Sequence, residues 1–120
     1  MPRYAALIYT VEGGDATPEE WAGVMADYNE FGEKAGAAGV ILGGEALEDT
    51  KTATTVHVDG KGGTLHTTDG PFAETKEALG GFYLLDCKDL DEAIHWAAQI
   101  PGAWHGRIEV RPVMEFSEEG

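Results

Sequence analysis

Two segments of this chain are apolar on both strand parities, and that pattern restricts the fold more than any other feature. From Arg3 to Val11, Tyr4, Ala6 and Ile8 fall on one parity, and Ala5, Leu7, Tyr9 and Val11 fall on the other. Phe82 to Cys87 repeats the pattern. Side chains alternate between the two faces of a strand, so each segment needs cover on both faces and belongs at the centre of a sheet. The stretch Arg107–Val113 instead alternates Ile108, Val110 and Pro112 against Arg107, Glu109 and Arg111. Pro112 cannot donate to a ladder, which assigns that strand to an edge. Val40–Leu47 reads as the second main strand in chain order, with Gly43 and Gly44 at the place for a bulge.

Two helices separate these strands. Thr17 is the N-cap of the first, with Pro18 at the first helical position and Glu19 and Glu20 in the first turn. Trp21, Val24, Met25, Tyr28, Phe31 and Ala35 then recur at steps of three and four, giving one apolar stripe, and Gly39 is the stop. Asp89 caps the second helix, with Glu92 as its capping-box partner. Its buried stripe is Leu90, Ala93, Ile94, Ala97 and Ile100, and Pro101 with Gly102 ends it. Between the second and third main strands, Thr52–Val58 and Thr64–Thr68 flank Asp59-Gly60-Lys61-Gly62-Gly63 and predict a hairpin. The order is a ferredoxin-like βαββαβ α+β sandwich with an inserted β-hairpin, spanning residues 1–120 as a single domain. Two helices cover one face of four strands, so the other face calls for a homodimer packed sheet on sheet, with a small-molecule pocket between the layers.

Charge and composition narrow the function. Twenty-two Asp and Glu against eight Lys and Arg give a net charge of −14, which argues against nucleic acid or anionic lipid as a partner. A single cysteine, Cys87, leaves no intrachain disulfide and no Cys-rich metal site. No apolar run approaches the roughly 20 residues of a membrane span, and the opening residues read as a strand rather than a signal peptide. The expectation is a cytoplasmic, acidic protein without a cofactor.

The most unusual segment is Asp69-Gly70-Pro71-Phe72-Ala73-Glu74-Thr75-Lys76-Glu77. It sets Asp69, Glu74, Lys76 and Glu77 around a Gly-Pro turn, and Phe72 is expected to anchor the turn in the core. A carboxylate beside an ammonium at a sheet edge suits acid–base work once partly desolvated. The plain reading is an Asx-turn at Asp69 with Glu74 and Lys76 in water. Tyr28 offers a hydroxyl on the buried stripe of the first helix, as an orienting donor or general acid. Gly70, Pro71, Phe72 and His66 are the expected ligand-binding neighbours. His57 and His66 share a ribbon face if Val58 pairs with Gly63, and fall on opposite faces if Val58 pairs with Thr64. A metal there would need Glu45 or Asp69 as a third ligand, and no metal is expected.

The blocks DGPFAETKE (Asp69–Glu77), LGGFYLLD (Leu79–Asp86), LDEAIHWAAQIP (Leu90–Pro101) and IEVRPV (Ile108–Val113) resemble the YCII-related family in its DGPF-containing branch. The PEE helix start and GVILGGEAL at Gly39–Leu47 fit as well, so nearly the whole chain is covered. The resemblance implies a dimeric α/β barrel. It also implies a small enzyme acting on small, often cyclic molecules through a His-containing acid–base pair whose His lies on the first helix, and the reaction classes weighed for this chain are lyase-, isomerase- or dehalogenase-like. The matching position here holds Tyr28, so the pocket carries over and the His-dependent mechanism does not. The catalytic candidates are then Asp69, Glu74, Lys76 and Tyr28. The alternative that the resemblance implies is a non-catalytic ligand- or protein-binding module in a sigma-factor regulatory setting.

Overall fold

The computed structural model describes residues 2–14 and 16–116. The elements are β1 (Arg3–Thr10), α1 (Pro18–Ala37), β2 (Ile41–Ala46), β3 (Thr54–Val58), β4 (Leu65–Asp69), β5 (Ala78–Asp86), α2 (Leu90–Ala97), α3 (Gly102–His105) and β6 (Arg107–Pro112), with a 3₁₀ turn at Thr50–Thr52. The main sheet is antiparallel in the order β2-β5-β1-β6, and β3 pairs with β4 in a separate ribbon. This is the strand order of a ferredoxin-like α+β fold with a hairpin between β2 and β5. The strands apolar on both parities, β1 and β5, are the central pair, and Pro112 lies on edge strand β6.

Local chemistry sets the helix ends. The Thr17 hydroxyl accepts from Glu20 N–H at 3.1 Å, and Glu20 Oε1 accepts from Thr17 N–H at 3.0 Å. These bonds to Thr17 hold the Glu20 carboxyl below its ordinary range. At the other end, Val40 N–H reaches Ala35 C=O and Gly39 N–H reaches Gly36 C=O, with Gly39 at φ +72°. That is a Schellman close, and it requires the left-handed backbone that glycine takes without strain. Asp89 caps α2 by accepting from Glu92 N–H at 2.9 Å. The expected reciprocal bond differs: Glu92 Oε1 accepts from Lys88 N–H, one residue before the cap.

The core lies on one face of the sheet. Tyr4, Ala6 and Ile8 of β1 and Leu85 of β5 meet Phe31 and Ala35 of α1 and Ala93 and Ala97 of α2, with Val40, Cys87 and Ile100 closing the ends. Phe31 packs obliquely on Tyr83 at 5.1 Å between ring centroids and edge-on to Trp96 at 6.5 Å. Burial and the carboxylates of Glu92, Asp86 and Asp89 push the Cys87 thiol up, so it is held as an inert, protonated core residue.

Several boundaries differ from the sequence reading. β5 begins at Ala78, four residues earlier than its apolar run. The extra residue in β2 falls at Leu42, between the Ile41–Leu85 and Gly43–Leu84 pairs, just before the glycine pair. In the ribbon Val58 pairs with Leu65, a third register. Asp59 N–H bonds Thr64 C=O at 3.0 Å, and Gly60 and Gly62 both take positive φ, so the loop takes in Thr64.

No helix among the described residues packs on the second face of the sheet, which presents Ala5, Leu7 and Tyr9 of β1 beside Phe82 and Leu84 of β5. The molecule is flat, 48 × 47 × 18 Å, with a radius of gyration of 16.9 Å. A compact chain of this length would have a radius of about 13.6 Å. The accessible surface of 8552 Å² is roughly a third above the ~6,300 Å² of a compact monomer of this mass.

Candidate functional site

Strand register builds a groove on the uncovered face. Tyr9 pairs with Arg107 and Leu7 with Glu109, so those side chains point away from the helices at the β1–β6 side of the sheet. The chain entering β5 brings Thr75 and Glu77 alongside. Together with Ile108 they line an open groove of about 500 Å³. Glu77, the most sheltered of its charged groups, accepts from Arg107 Nη1 at 2.8 Å. The Thr75 hydroxyl donates to Glu77 C=O and fixes the approach of this segment to the strand. A carboxylate and a guanidinium side by side, with a phenol and a second carboxylate near, can bind a small polar molecule through both an acceptor and a donor. The same set can move a proton at Glu77 while Arg107 neutralises charge on a ligand oxygen.

None of the eight side chains and turn residues expected at the site lines this groove. Asp69 ends β4, exposed and opposite Thr54. Gly70 is tied to the ribbon's base: its N–H donates to Ala53 C=O at 2.7 Å, and its C=O accepts from the Thr55 hydroxyl at 2.8 Å. Pro71 follows, half-buried, and the turn aims Phe72 outward, 90% exposed. The expected core anchor is therefore corrected: with φ +102° at Gly70, the turn sends the ring away from the chain. Glu74 and Lys76 are exposed as well. Tyr28 lies in the helix layer, across the sheet from the groove, where its hydroxyl accepts from Gly102 N–H. Burial raises the Tyr28 phenol above its ordinary value and that bond opposes the rise; burial also raises the neighbouring Tyr83.

His66 sits on the ribbon directly opposite His57, with ring centroids 6.1 Å apart. His66 Nε2 lies 2.7 Å from Asp59 Oδ2 and His57 Nε2 lies 3.3 Å from Oδ1, so the two imidazoles bracket one carboxylate from its two oxygens. Among the described residues no group of three or more His, Cys, Asp or Glu is arranged to hold a metal ion. No helix among them is long and apolar enough to cross a membrane.

The groove residues escaped the sequence because three separate segments supply them. The usable signal was parity: Arg107, Glu109 and Arg111 share the face opposite Ile108 and Val110, and Tyr9 shares the outer parity of β1 with Leu7.

A four-stranded antiparallel sheet in this order, helices on one face and a charged groove on the other, defines a small α+β domain of ferredoxin-like type. A family model of the YCII-related domain matches residues 2–117, and the chain belongs to that family. It is similar to an uncharacterised protein of Rhizobium meliloti (strain 1021), 40% identical over 114 residues that cover 92% of this chain and 90% of that one.

Proposed function

We propose that this protein is a homodimeric small-molecule-binding domain of the DGPF branch, a dimeric α/β barrel whose ligand lies in the Tyr9–Glu77–Arg107–Glu109 groove. The observation that carries the reading is the position of the groove on the sheet face that no helix among the described residues covers. Closing that face against a second copy would turn an open groove into a roofed pocket, and exclusion of water would strengthen the interactions of Arg107 and Glu77 with a ligand. The ligand class that fits is a small polar molecule carrying an oxygen acceptor for Arg107 and an N–H or O–H donor for Glu77. Where that donor is acidic, Glu77 serves as the base of a cofactor-free acid–base reaction.

Light scattering of the wild type at micromolar concentration should give twice 12.8 kDa. A thermal-shift screen of small polar metabolites should then find ligands whose effect is lost in Glu77→Gln and Arg107→Ala but kept in Asp69→Ala. A monomer refutes the dimer, and ligand shifts that survive both groove substitutions refute the site.

A further inference from the structure

The β3–β4 ribbon has a face that nothing among the described residues of its own chain covers. Every ribbon residue except Thr55 is exposed. Pairs Thr54–Asp69, Val56–Thr67 and Val58–Leu65 point to one side, and Thr55–Thr68 and His57–His66 to the other. The first side carries Val56, Val58 and Leu65, exposed by 61%, 43% and 61%. The second is polar and is clasped at Asp59. A side that is apolar towards the loop, with Thr54, Thr67 and Asp69 nearer the base, opposite a wholly polar side, fits a ribbon with that apolar end buried, and a free two-stranded hairpin is marginal in water.

Charge and area indicate what covers it. From Thr52 to Gly70 the charged residues are Asp59, Lys61 and Asp69, a net −1 in a chain of −14. Two copies of so acidic a chain meet with least repulsion where each is nearly neutral. The open sheet face alone is too small to account for the excess surface. Four strands about 4.8 Å apart and about seven residues long project roughly 450 Å². The accessible surface of 8552 Å² stands roughly 2,000 Å² above that of a compact chain of this mass. A stable dimer buries about 800 Å² per partner, which leaves room for a second contact beside the sheet.

We propose that the β3–β4 ribbon is a dimerisation arm whose Val56, Val58 and Leu65 face packs on a second copy of this chain. The inference rests on the dimer reading above and adds to it a contact outside the sheet face. Sedimentation equilibrium should show Val56→Asp/Leu65→Asp weakening the dimer by about a hundredfold, the size of losing two desolvated anchors. Thr68→Asp, on the polar side, should change it by less than about threefold. Leu7→Asp tests the sheet face separately. A wild type that is monomeric overturns both readings. A dimer that Leu7→Asp weakens and Val56→Asp/Leu65→Asp does not overturns the arm alone. Hydrogen exchange gives a readout free of variants: the ribbon amides should be protected in the dimer and exchange fast on dilution. Equally fast exchange at both concentrations overturns the arm.

Discussion

Gly102→Ala tests the tightest contact between the connecting helix and the sheet. Gly102 opens α3 and is buried. A methyl group there would stand 2.6 Å from Ile8 Cγ2, 3.0 Å from the Tyr28 hydroxyl oxygen and 3.5 Å from Ile108 Cδ1. The first distance is shorter than real side-chain contacts, and Ile8 is itself packed in the core, so the strand or the helix must move. Overpacking of this kind costs about 1–3 kcal/mol. Alanine's helix propensity and its lower unfolded-state entropy return up to about 1 kcal/mol, and a four-residue helix collects little of that. The net expectation is a loss of about 1–2 kcal/mol, or a melting temperature lower by roughly 4–8 °C for a chain of this size. Urea unfolding followed by tryptophan fluorescence, at a constant m value, measures it. Ile8→Ala removes the group that clashes, so the double variant should be more stable than additivity predicts, by about 1 kcal/mol. A Gly102→Ala protein as stable as the wild type, or strict additivity in the cycle, refutes the close approach of α3 to β1.

Two further expectations follow from exposure and burial. Phe72→Ala should leave the unfolding free energy of the dissociated chain within about 0.5 kcal/mol of wild type, because the ring is 90% exposed; a loss of several kcal/mol in denaturant titration would show that the ring is buried after all. Tyr28 and Tyr83 have phenols raised above their ordinary value of 10.0 by burial. Raised groups contribute stability that is complete below the unfolded-state value and is lost as pH rises through the folded-state value. Stability should therefore fall on the alkaline side above about pH 10, and the fall should be shallower in Tyr28→Phe/Tyr83→Phe; identical alkaline profiles would refute it.

The frame of the fold was legible because its signals are local or periodic. Both-parity apolarity marked β1 and β5 as central, Pro112 marked the edge, and Thr17 and Asp89 announced helix starts that their side chains do cap. Ribbon register was not legible. It turns on whether Thr64 joins the strand or the loop, and the Asp59–Thr64 backbone bond decides it. Phe72 misled for a related reason: a large aromatic ring suggests burial, yet the turn at Gly70 sets its direction. The groove lay further out of reach. Tyr9, Glu77 and Arg107 meet only through the β1–β6 register and the path of the chain into β5, and neither can be read one segment at a time.

The distribution of arginine shows how so acidic a chain can carry a face fit for association. Its three arginines, Arg3, Arg107 and Arg111, share the uncovered face of the sheet along β1 and β6. Each meets a carboxylate: Arg3 with Glu115 at 2.9 Å, Arg107 with Glu77 at 2.8 Å and Arg111 with Glu109 at 2.6 Å. Exposed pairs of this kind add little to folding stability. Their larger effect is on the field, because three cations here cancel acidic charge that would otherwise repel an approaching copy or an anionic ligand. Arg107 then has two partners available. It holds Glu77, and under the proposed function it can turn to a ligand oxygen at small cost, since an exposed ion pair is inexpensive to exchange. Neutralisation of the face and the proposed recognition in the groove thus rest on the same side chain. Arg107→Ala should weaken both the proposed dimer and ligand binding, whereas Glu77→Gln, which leaves the cation in place, should weaken ligand binding alone. Equal effects of the two substitutions on dimerisation would separate the charge of this face from association.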